Sequence, residues 1–456
     1  MSFFRSINPW NGEILQEYPS TTPAAVEQAL ALAAHCFDSW RSQSNLEKSC
    51  LFGQLAQLLR ARKEELARLI SLEVGKVISE SRAEIEKCAL VCEFYAERVD
   101  EFLAPESIVL PDQTKAKVIF QASGIILAVM PWNFPFWQVF RFAVPTLIAG
   151  NVGLLKHASN VPQCALTIQQ LFEEVGFPPG CFQSLLLDGP SATALLDDPR
   201  IKGVSLTGSE KAGATVAAAA GKNLKKSLLE LGGSDPFIVL ADADLPLAAF
   251  TAVKARMVNF GQSCIAAKRF IIEAPVYDKF VALFLKELKK LRLGNPFDEN
   301  ASYACMARPD LAVELYEQVR KTVALGARVL TGGKAPEPGS TRFEPTVLAD
   351  IPKGSPGYSE ELFGPVACLF KVDSMQEAIT LANSTEYGLG ASLWTAQPTR
   401  GAELAMHLES GAVFINAQVA SHPMLPFGGI KKSGYGRELS KQGMMEFVNQ
   451  KTIYLG

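Results

Sequence analysis

The feature that most constrains the fold is an alternation, from about Gly124 onward, of short apolar runs with helix-length segments. The first group of runs is "GIILAVM", "VGLL", "SLLL", "GVSL" and "SLLEL", and a second group, "FIVL", "FIIEA", "ACLF", "GASLW" and "AVFIN", follows Gly233. Strands that are apolar on both faces and alternate with helices indicate parallel sheets covered by helices on both sides. The sequence therefore predicts an α/β protein with two doubly wound parallel sheets and a boundary near "ELGGSDP".

The segments outside this alternation predict helices and two extra strands. Thr22 followed by Pro23 predicts a helix N-terminus, and the apolar spacing predicts one further helix over residues 46–74. The β-prone segments "KAKVIFQAS" and "KTIYLG" belong to neither alternation. We expect them to be edge strands available for contacts between subunits.

Composition limits the classes of function. A chain of 456 residues is expected to form two or three domains. Its 44 basic and 47 acidic residues give a net charge of −3, which argues against nucleic-acid binding. No apolar run approaches the roughly 18 residues that span a bilayer, and the N-terminus lacks the pattern of a signal peptide. We expect a cytoplasmic protein with no nucleic-acid or membrane partner.

The segment "NFGQSCIAAKR" raises the question of what Cys264 does. The nine cysteines are an odd number scattered through a long chain, which is typical of a reducing compartment rather than of a disulfide framework. The four histidines are not spaced as metal ligands, so no metal site is expected. Local sequence leaves two alternatives for Cys264, a buried filler and a nucleophile.

Several other polar residues follow predicted strands, where open α/β sheets bind ligands. Thr207, Gly208 and Ser209 connect a strand to a helix whose N-terminus suits a phosphate, but many turns look alike. Each remaining candidate has a structural alternative: a solvated lysine for Lys156, a capping asparagine for Asn133 and a loop glutamate for Glu230.

Taken together, these segments resemble the NAD(P)-dependent aldehyde dehydrogenase superfamily over essentially the whole chain. The blocks that carry the resemblance are "PWNFP" at 131–135, "LTGS" at 206–209, "LELGG" at 229–233, "GQSC" at 261–264, "EELFGPV" at 360–366 and "PFGGIKKSGYGRE" at 426–438. The resemblance implies a cofactor-binding domain (1–105 and 123–231), a catalytic domain (232–438) and a small β oligomerisation arm (106–122 and 439–456). It also implies a homodimer or homotetramer.

The resemblance assigns chemistry to three residues. Cys264 is expected to add to an aldehyde carbon, while Asn133 and the backbone N–H of Cys264 hold the oxyanion. Hydride leaves the thiohemiacetal for the nicotinamide, and Glu230 is expected to activate the water that hydrolyses the resulting thioester.

The resemblance also assigns the cofactor, which is NAD or NADP. Lys156 and Glu361 are the expected ribose ligands, and the other expected cofactor residues are Trp132, Thr207, Gly208, Ser209 and Phe363. Ser159 occupies a position where members strict for NAD often carry a glutamate. A hydroxyl tolerates the 2′-phosphate that a carboxylate repels, so we predict use of both cofactors.

The substrate expectation depends on Arg141, which matches an arginine that binds the distal carboxylate in succinate-semialdehyde dehydrogenases of this family. Ser421 is expected to add a hydrogen bond. The alternative is that Arg141 pairs with a protein carboxylate and that the pocket takes general aldehydes. A CoA-acylating or phosphorylating enzyme is disfavoured by Glu230, and a non-catalytic binding protein on the same fold by the presence of Cys264, Glu230 and Asn133 together.

Overall fold

A computed structural model describes residues 3–455. Within that range the chain forms eighteen strands: β1 Phe3–Ile7, β2 Ile14–Pro19, β3 Glu106–Val109, β4 Lys115–Ala122, β5 Ile125–Met130, β6 Val152–His157, β7 Phe182–Ser184, β8 Ile201–Thr207, β9 Lys226–Glu230, β10 Pro236–Val239, β11 Arg269–Glu273, β12 Arg328–Thr331, β13 Thr346–Ala349, β14 Val366–Val372, β15 Gly390–Trp394, β16 Ala412–Ile415, β17 Gly434–Tyr435 and β18 Val448–Leu455.

The same residues form fifteen α-helices: α1 Pro23–Trp40, α2 Asn45–Ala61, α3 Lys63–Val74, α4 Ile78–Phe102, α5 Trp137–Ile148, α6 Pro162–Val175, α7 Gly189–Ala194, α8 Glu210–Lys222, α9 Leu245–Met257, α10 Tyr277–Leu288, α11 Pro309–Ala324, α12 Pro356–Ser359, α13 Met375–Asn383, α14 Pro398–Ala405 and α15 Ser440–Met445. No helix of residues 3–455 combines the length and apolarity needed to cross a membrane.

Two large sheets confirm the predicted fold class. The first has the order β17-β9-β8-β5-β6-β7 and is parallel except for β17. The second has the order β12-β13-β14-β11-β10-β15-β16 and is parallel except for β12. Each sheet belongs to its own apolar core, and the chain passes from the first to the second between Glu230 and Pro236.

Strand order places the ligand-binding edge of the first sheet. After β5 the chain adds β6 and β7 on one side, then returns to add β8 and β9 on the other side of β5. The order of strands therefore reverses between β5 and β8. Open α/β sheets bind ligands in the crevice outside the carboxyl ends of strands at such a point, and the residues that follow β5 and β8 are Pro131 and Gly208.

Both β-prone segments outside the alternation form strands. β4 pairs antiparallel with β18 and with β3 in a separate three-stranded sheet, so β18 is an edge strand as expected, whereas β4 is the central strand and that expectation was wrong. The side chains of β3 are all exposed, as are most of those of β18. The short β17 lies late in the chain, yet it pairs with β9 and so belongs to the first large sheet.

Two further predictions of local structure were wrong. The helix expected over 46–74 is broken at Arg62, which caps the C-terminus of α2 and the N-terminus of α3. The strand expected at "SLLL" is displaced, because β7 ends at Ser184. The predicted start of α1 is confirmed, since the Thr22 side chain accepts a hydrogen bond from the Ala25 N–H and Pro23 is the first helical residue.

Candidate active site

The loop that carries Cys264 has an unusual backbone. Asn259, Phe260 and Gly261 all have positive φ, at 48°, 54° and 77°. A Cβ atom on Gly261 would overlap the carbonyl oxygen of Gly364, so only glycine fits there. The left-handed conformation of two non-glycine residues costs about 1–2 kcal/mol each, which the surrounding contacts must offset.

Hydrogen bonds hold this loop against the loop that follows β5. The Asn259 side chain donates to the Asn133 carbonyl at 2.7 Å, and the Asn133 side chain donates to the Gln262 carbonyl at 3.0 Å. Lys268 is buried and donates to three carbonyls of the cysteine segment, including that of Cys264 at 2.9 Å. The position of Cys264 is therefore fixed by polar contacts from both sides.

Cys264 lies between two cavities. It lines a cavity of about 280 Å³ together with Trp132, Gly208 and Glu361, and a second cavity of about 320 Å³ together with Arg141 and others. Among residues 3–455, Gln138 alone shares this double position. We name the first the cofactor-side cavity and the second the substrate-side cavity. A nucleophile at this junction can contact ligands that enter from opposite sides.

The Cys264 thiol is half-buried, and burial raises its pKa to about 12, while Arg141 and Lys268 oppose that rise. The thiol is therefore protonated at neutral pH in the absence of ligands and needs a base in order to attack. Among residues 3–455 the backbone N–H of Cys264 donates to no protein acceptor. It remains available to a developing oxyanion.

Asn133 also has spare hydrogen-bonding capacity beside the cysteine. It is buried, and one of its two amide N–H groups is used by Gln262. Its side-chain oxygen is buried without a partner. The amide thus lines the cofactor-side cavity with one N–H uncommitted.

Glu230 is buried at the end of β9, and neither of its carboxyl oxygens has a hydrogen-bond partner. Burial, followed by the neighbouring Glu438, raises its pKa well above the ordinary value, while Arg141 lowers it. The carboxyl group points toward Gly428, where a Cβ atom would lie 2.7 Å from it, and it lines neither cavity. It is nevertheless close enough to Cys264 to raise the pKa of the thiol.

The cofactor-side cavity contains most of the expected cofactor residues. Its walls include Trp132, Thr207, Gly208, Ser209, Glu361 and Phe363. The rings of Trp132 and Phe363 meet edge to face with centroids 5.9 Å apart. Ser209 caps the N-terminus of α8, which directs a positive dipole end at the cavity.

Lys156 and Ser159 lie outside this cavity, at and beyond the end of β6. Lys156 is half-buried and burial lowers its pKa, while Asp188 raises it. Ser159 is exposed. Both are at the carboxyl edge of the first sheet, but the structure does not bring them into the cavity that Cys264 lines.

Glu361 has contacts that the sequence did not suggest. It accepts a hydrogen bond from the Gly233 N–H at 3.1 Å and lies 3.4 Å from the Lys268 ammonium. Lys268 thereby links the cysteine loop to the carboxylate of the cofactor-side cavity. Burial raises the pKa of Glu361 and lowers that of Lys268, and each charge opposes the shift of the other.

Arg141 lines the substrate-side cavity, but its guanidinium pairs with Glu438, and the side chains are 2% and 3% exposed. It also lies 4.6 Å from the centroid of the Phe427 ring. The protein carboxylate that the sequence analysis held open as an alternative partner is thus present. Arg141 still lines the cavity, so its binding of a substrate carboxylate stays a prediction.

Ser421 also lines the substrate-side cavity, where its hydroxyl accepts a hydrogen bond from the Lys87 ammonium at 2.6 Å. Sequence reasoning missed Lys87, as well as Glu438 and Lys268. A signal for Lys87 did exist, since Glu80, Glu84 and Lys87 fall at i, i+4 and i+7 and so share one face of α4.

Comparisons with known proteins find similarity over nearly the whole chain. A model of the aldehyde dehydrogenase family matches residues 2–453. A probable succinate-semialdehyde dehydrogenase [NADP(+)] of Synechocystis sp. is 49% identical over 450 residues and covers 99% of each chain. The succinate-semialdehyde dehydrogenase [NADP(+)] of Mycobacterium leprae is 44% identical over 99% of each chain. The crystal structure of the Streptococcus pyogenes succinic semialdehyde dehydrogenase with NADP+ superposes with a TM-score of 0.96 at 37% identity, covering 99% of each chain.

Proposed function

This chain belongs to the aldehyde dehydrogenase family, and from that premise we propose that it oxidises succinic semialdehyde to succinate with NADP or NAD as hydride acceptor. The observation that carries the proposal is the position of Cys264, shared by the two cavities. One cavity has the aromatic, glycine and carboxylate lining that suits a dinucleotide. The other has cationic side chains that suit an aldehyde with a carboxylate at its far end.

The residues of the cofactor-side cavity fit a nicotinamide dinucleotide. Trp132 and Phe363 offer aromatic surface, Gly208 leaves the backbone open at the N-terminus of α8, and Glu361 offers a carboxylate to ribose hydroxyls. When bound, the cofactor supplies a hydride acceptor. We assign Lys156 and Ser159 to the adenosine end, because they follow β6 on the same carboxyl edge of the sheet.

The chain's own groups supply the remaining chemistry. The Cys264 sulfur forms a bond to the aldehyde carbon after its proton is removed. The uncommitted N–H of Asn133 and the backbone N–H of Cys264 donate to the oxyanion of this thiohemiacetal. Loss of hydride leaves a thioester on Cys264, and water attacks it to release the carboxylic acid.

Glu230 is the proposed base for that water. Its buried carboxyl group has a raised pKa and, within residues 3–455, no hydrogen-bond partner, which suits a general base. Rotation of its side chain from the pocket beside Gly428 toward Cys264 is part of the proposal. The same rotation brings a base to the thiol.

One observation favours a second candidate function, a broader aldehyde dehydrogenase. Because Arg141 is already paired with Glu438, the arginine adds little net positive charge to the substrate-side cavity. An enzyme that relied on Arg141 alone would not discriminate strongly between succinic semialdehyde and an uncharged aldehyde of equal length.

Steady-state kinetics separate the two candidates. A charged hydrogen bond to the distal carboxylate is worth about 1.5–3 kcal/mol, or about 10- to 150-fold in kcat/KM. With NADP as cofactor, we therefore expect kcat/KM to be higher for succinic semialdehyde than for butanal by that factor. Equal kcat/KM values for the two aldehydes would support the broader enzyme, and formation of acyl-CoA instead of free acid would contradict both.

We further propose that the three-stranded sheet of β3, β4 and β18 joins subunits into a homodimer or homotetramer. Its outer strands expose apolar side chains, among them Ile108, Val109 and Leu455. Light scattering after size-exclusion chromatography tests this, and a monomer at micromolar concentration would contradict it.

We also propose a cytoplasmic location, as the named relatives are bacterial enzymes.

A further inference from the structure

The substrate-side cavity is lined by four charged side chains, Glu80, Glu84, Lys87 and Arg141. Three of the four have partners within the protein that account for their charge. The partners of each charged group determine which charge remains available to a ligand.

Glu84 is bound by backbone N–H groups and by a lysine beside the cavity. One carboxylate oxygen accepts the N–H groups of Phe136 and Trp137 at the start of α5, at 2.9 and 3.0 Å. The other oxygen pairs with the buried ammonium of Lys76. This carboxylate is therefore compensated by a cation and by a helix N-terminus.

Glu80 and Arg141 are also committed to protein groups. Glu80 accepts the Asn259 N–H at 3.0 Å; burial raises the pKa of its carboxyl group, and the nearby Lys76 charge opposes that rise. Arg141 pairs with Glu438. Neither offers an uncompensated charge to a ligand in this cavity.

Lys87 differs from the other three. Its ammonium donates to the Ser421 hydroxyl at 2.6 Å and lies 4.3 Å from the centroid of the Trp137 ring. No carboxylate of residues 3–455 forms an ion pair with it. Burial, followed by the nearby Arg141, lowers its pKa to about 8. A half-buried ammonium without a counter-ion is costly, and an anion in the cavity would remove that cost.

We propose that Lys87, with the Ser421 hydroxyl beside it, binds the carboxylate at the far end of the aldehyde substrate and so determines specificity. The ammonium has three N–H donors, of which Ser421 uses one, so two remain for carboxylate oxygens. Arg141, which pairs with Glu438 and packs on Phe427, lines the same cavity. This inference rests on the proposed function, because it names the group that selects the substrate.

The test compares Lys87→Met with Lys87→Arg and with a control, Lys254→Met, at an exposed lysine of α9. Methionine keeps the length and apolar stem of lysine without its charge. We expect kcat/KM for succinic semialdehyde to fall about 10- to 150-fold in Lys87→Met, mainly through KM, while oxidation of butanal is retained. Lys87→Arg should restore much of the loss, and Lys254→Met should behave as wild type.

A second measurement tests carboxylate binding by Lys87 independently of the proposed function. Succinate should competitively inhibit butanal oxidation by the wild type but not by Lys87→Met. This result would support the carboxylate site even if the wild type proved not to prefer succinic semialdehyde, which would overturn the proposed function alone. Equal loss of both aldehydes in Lys87→Met, or unchanged inhibition by succinate, would overturn the role of Lys87.

Discussion

Removal of Arg141 is the change for which the structure gives the clearest energetic expectation. Arg141 and Glu438 are 2% and 3% exposed and form an ion pair. Loss of one partner from a buried pair costs about 3–5 kcal/mol, because the other charge is left unpaired in the interior. Arg141→Leu should therefore lower Tm by about 6–20 °C, since 1 kcal/mol shifts Tm by about 2–4 °C in a domain of roughly 150–250 residues. The double variant Arg141→Leu with Glu438→Leu should recover most of that loss.

The destabilisation should also depend on pH. Burial raises the pKa of Glu438 in the folded enzyme, and loss of Arg141, which opposes that rise, raises it further. The folded state then binds more protons than the unfolded state, whose glutamates titrate at about 4.3, so stability is lost as pH rises through the folded pKa. Melting curves should show a larger deficit for Arg141→Leu at pH 8 than at pH 5. A single variant as stable as wild type at both pH values, or a double variant no better than the single, would refute the reasoning.

Two further predictions concern the proposed chemistry and the cofactor. Glu230→Gln should reduce kcat about 10²- to 10⁴-fold, yet stopped-flow absorbance should still show a burst of one reduced cofactor per active site, slower than in the wild type. The thiol can also lose its proton to solvent before the aldehyde binds, whereas water needs a base in order to attack the thioester, so hydrolysis becomes the slow step; a wild-type steady-state rate would exclude this role. Ser159→Glu should lower kcat/KM for NADP far more than for NAD, because a carboxylate repels a 2′-phosphate, and Ser159→Ala, its matched control, should change the ratio little. A thousandfold preference of the wild type for NAD would contradict the dual cofactor use.

Much of the fold could be predicted from the sequence because strands buried on both faces have a distinctive composition. β5 and β6 are almost fully buried; β5 is an unbroken apolar run, and β6 begins with the apolar run "VGLL". The break between α2 and α3 at Arg62 could not be predicted, as neither glycine nor proline marks it. β17 is two residues long, and its pairing with β9 depends on a return of the chain that no local pattern encodes.

The candidate site, like the fold, could be predicted from the sequence only in part. Cys264, Asn133 and Glu230 lie in short segments whose pattern is carried by neighbouring residues, so the sequence could suggest them together. The pairing of Arg141 with Glu438 joins residues almost three hundred positions apart, and Lys87 meets Ser421 across a similar separation. Such contacts depend on how α4, α5 and the segment after β16 pack around one cavity. The spacing of these residues in the sequence does not predict that packing.

The central claim is that Cys264 becomes acylated by the aldehyde's carbonyl carbon during turnover. The most direct test is acid quenching of Glu230→Gln during its burst with succinic semialdehyde and NADP, followed by peptide mapping by mass spectrometry. We expect one succinyl group per chain, carried by the peptide that contains Cys264, and none when NADP is omitted. An unmodified Cys264 at the end of the burst, or a succinyl group on another cysteine, would contradict it.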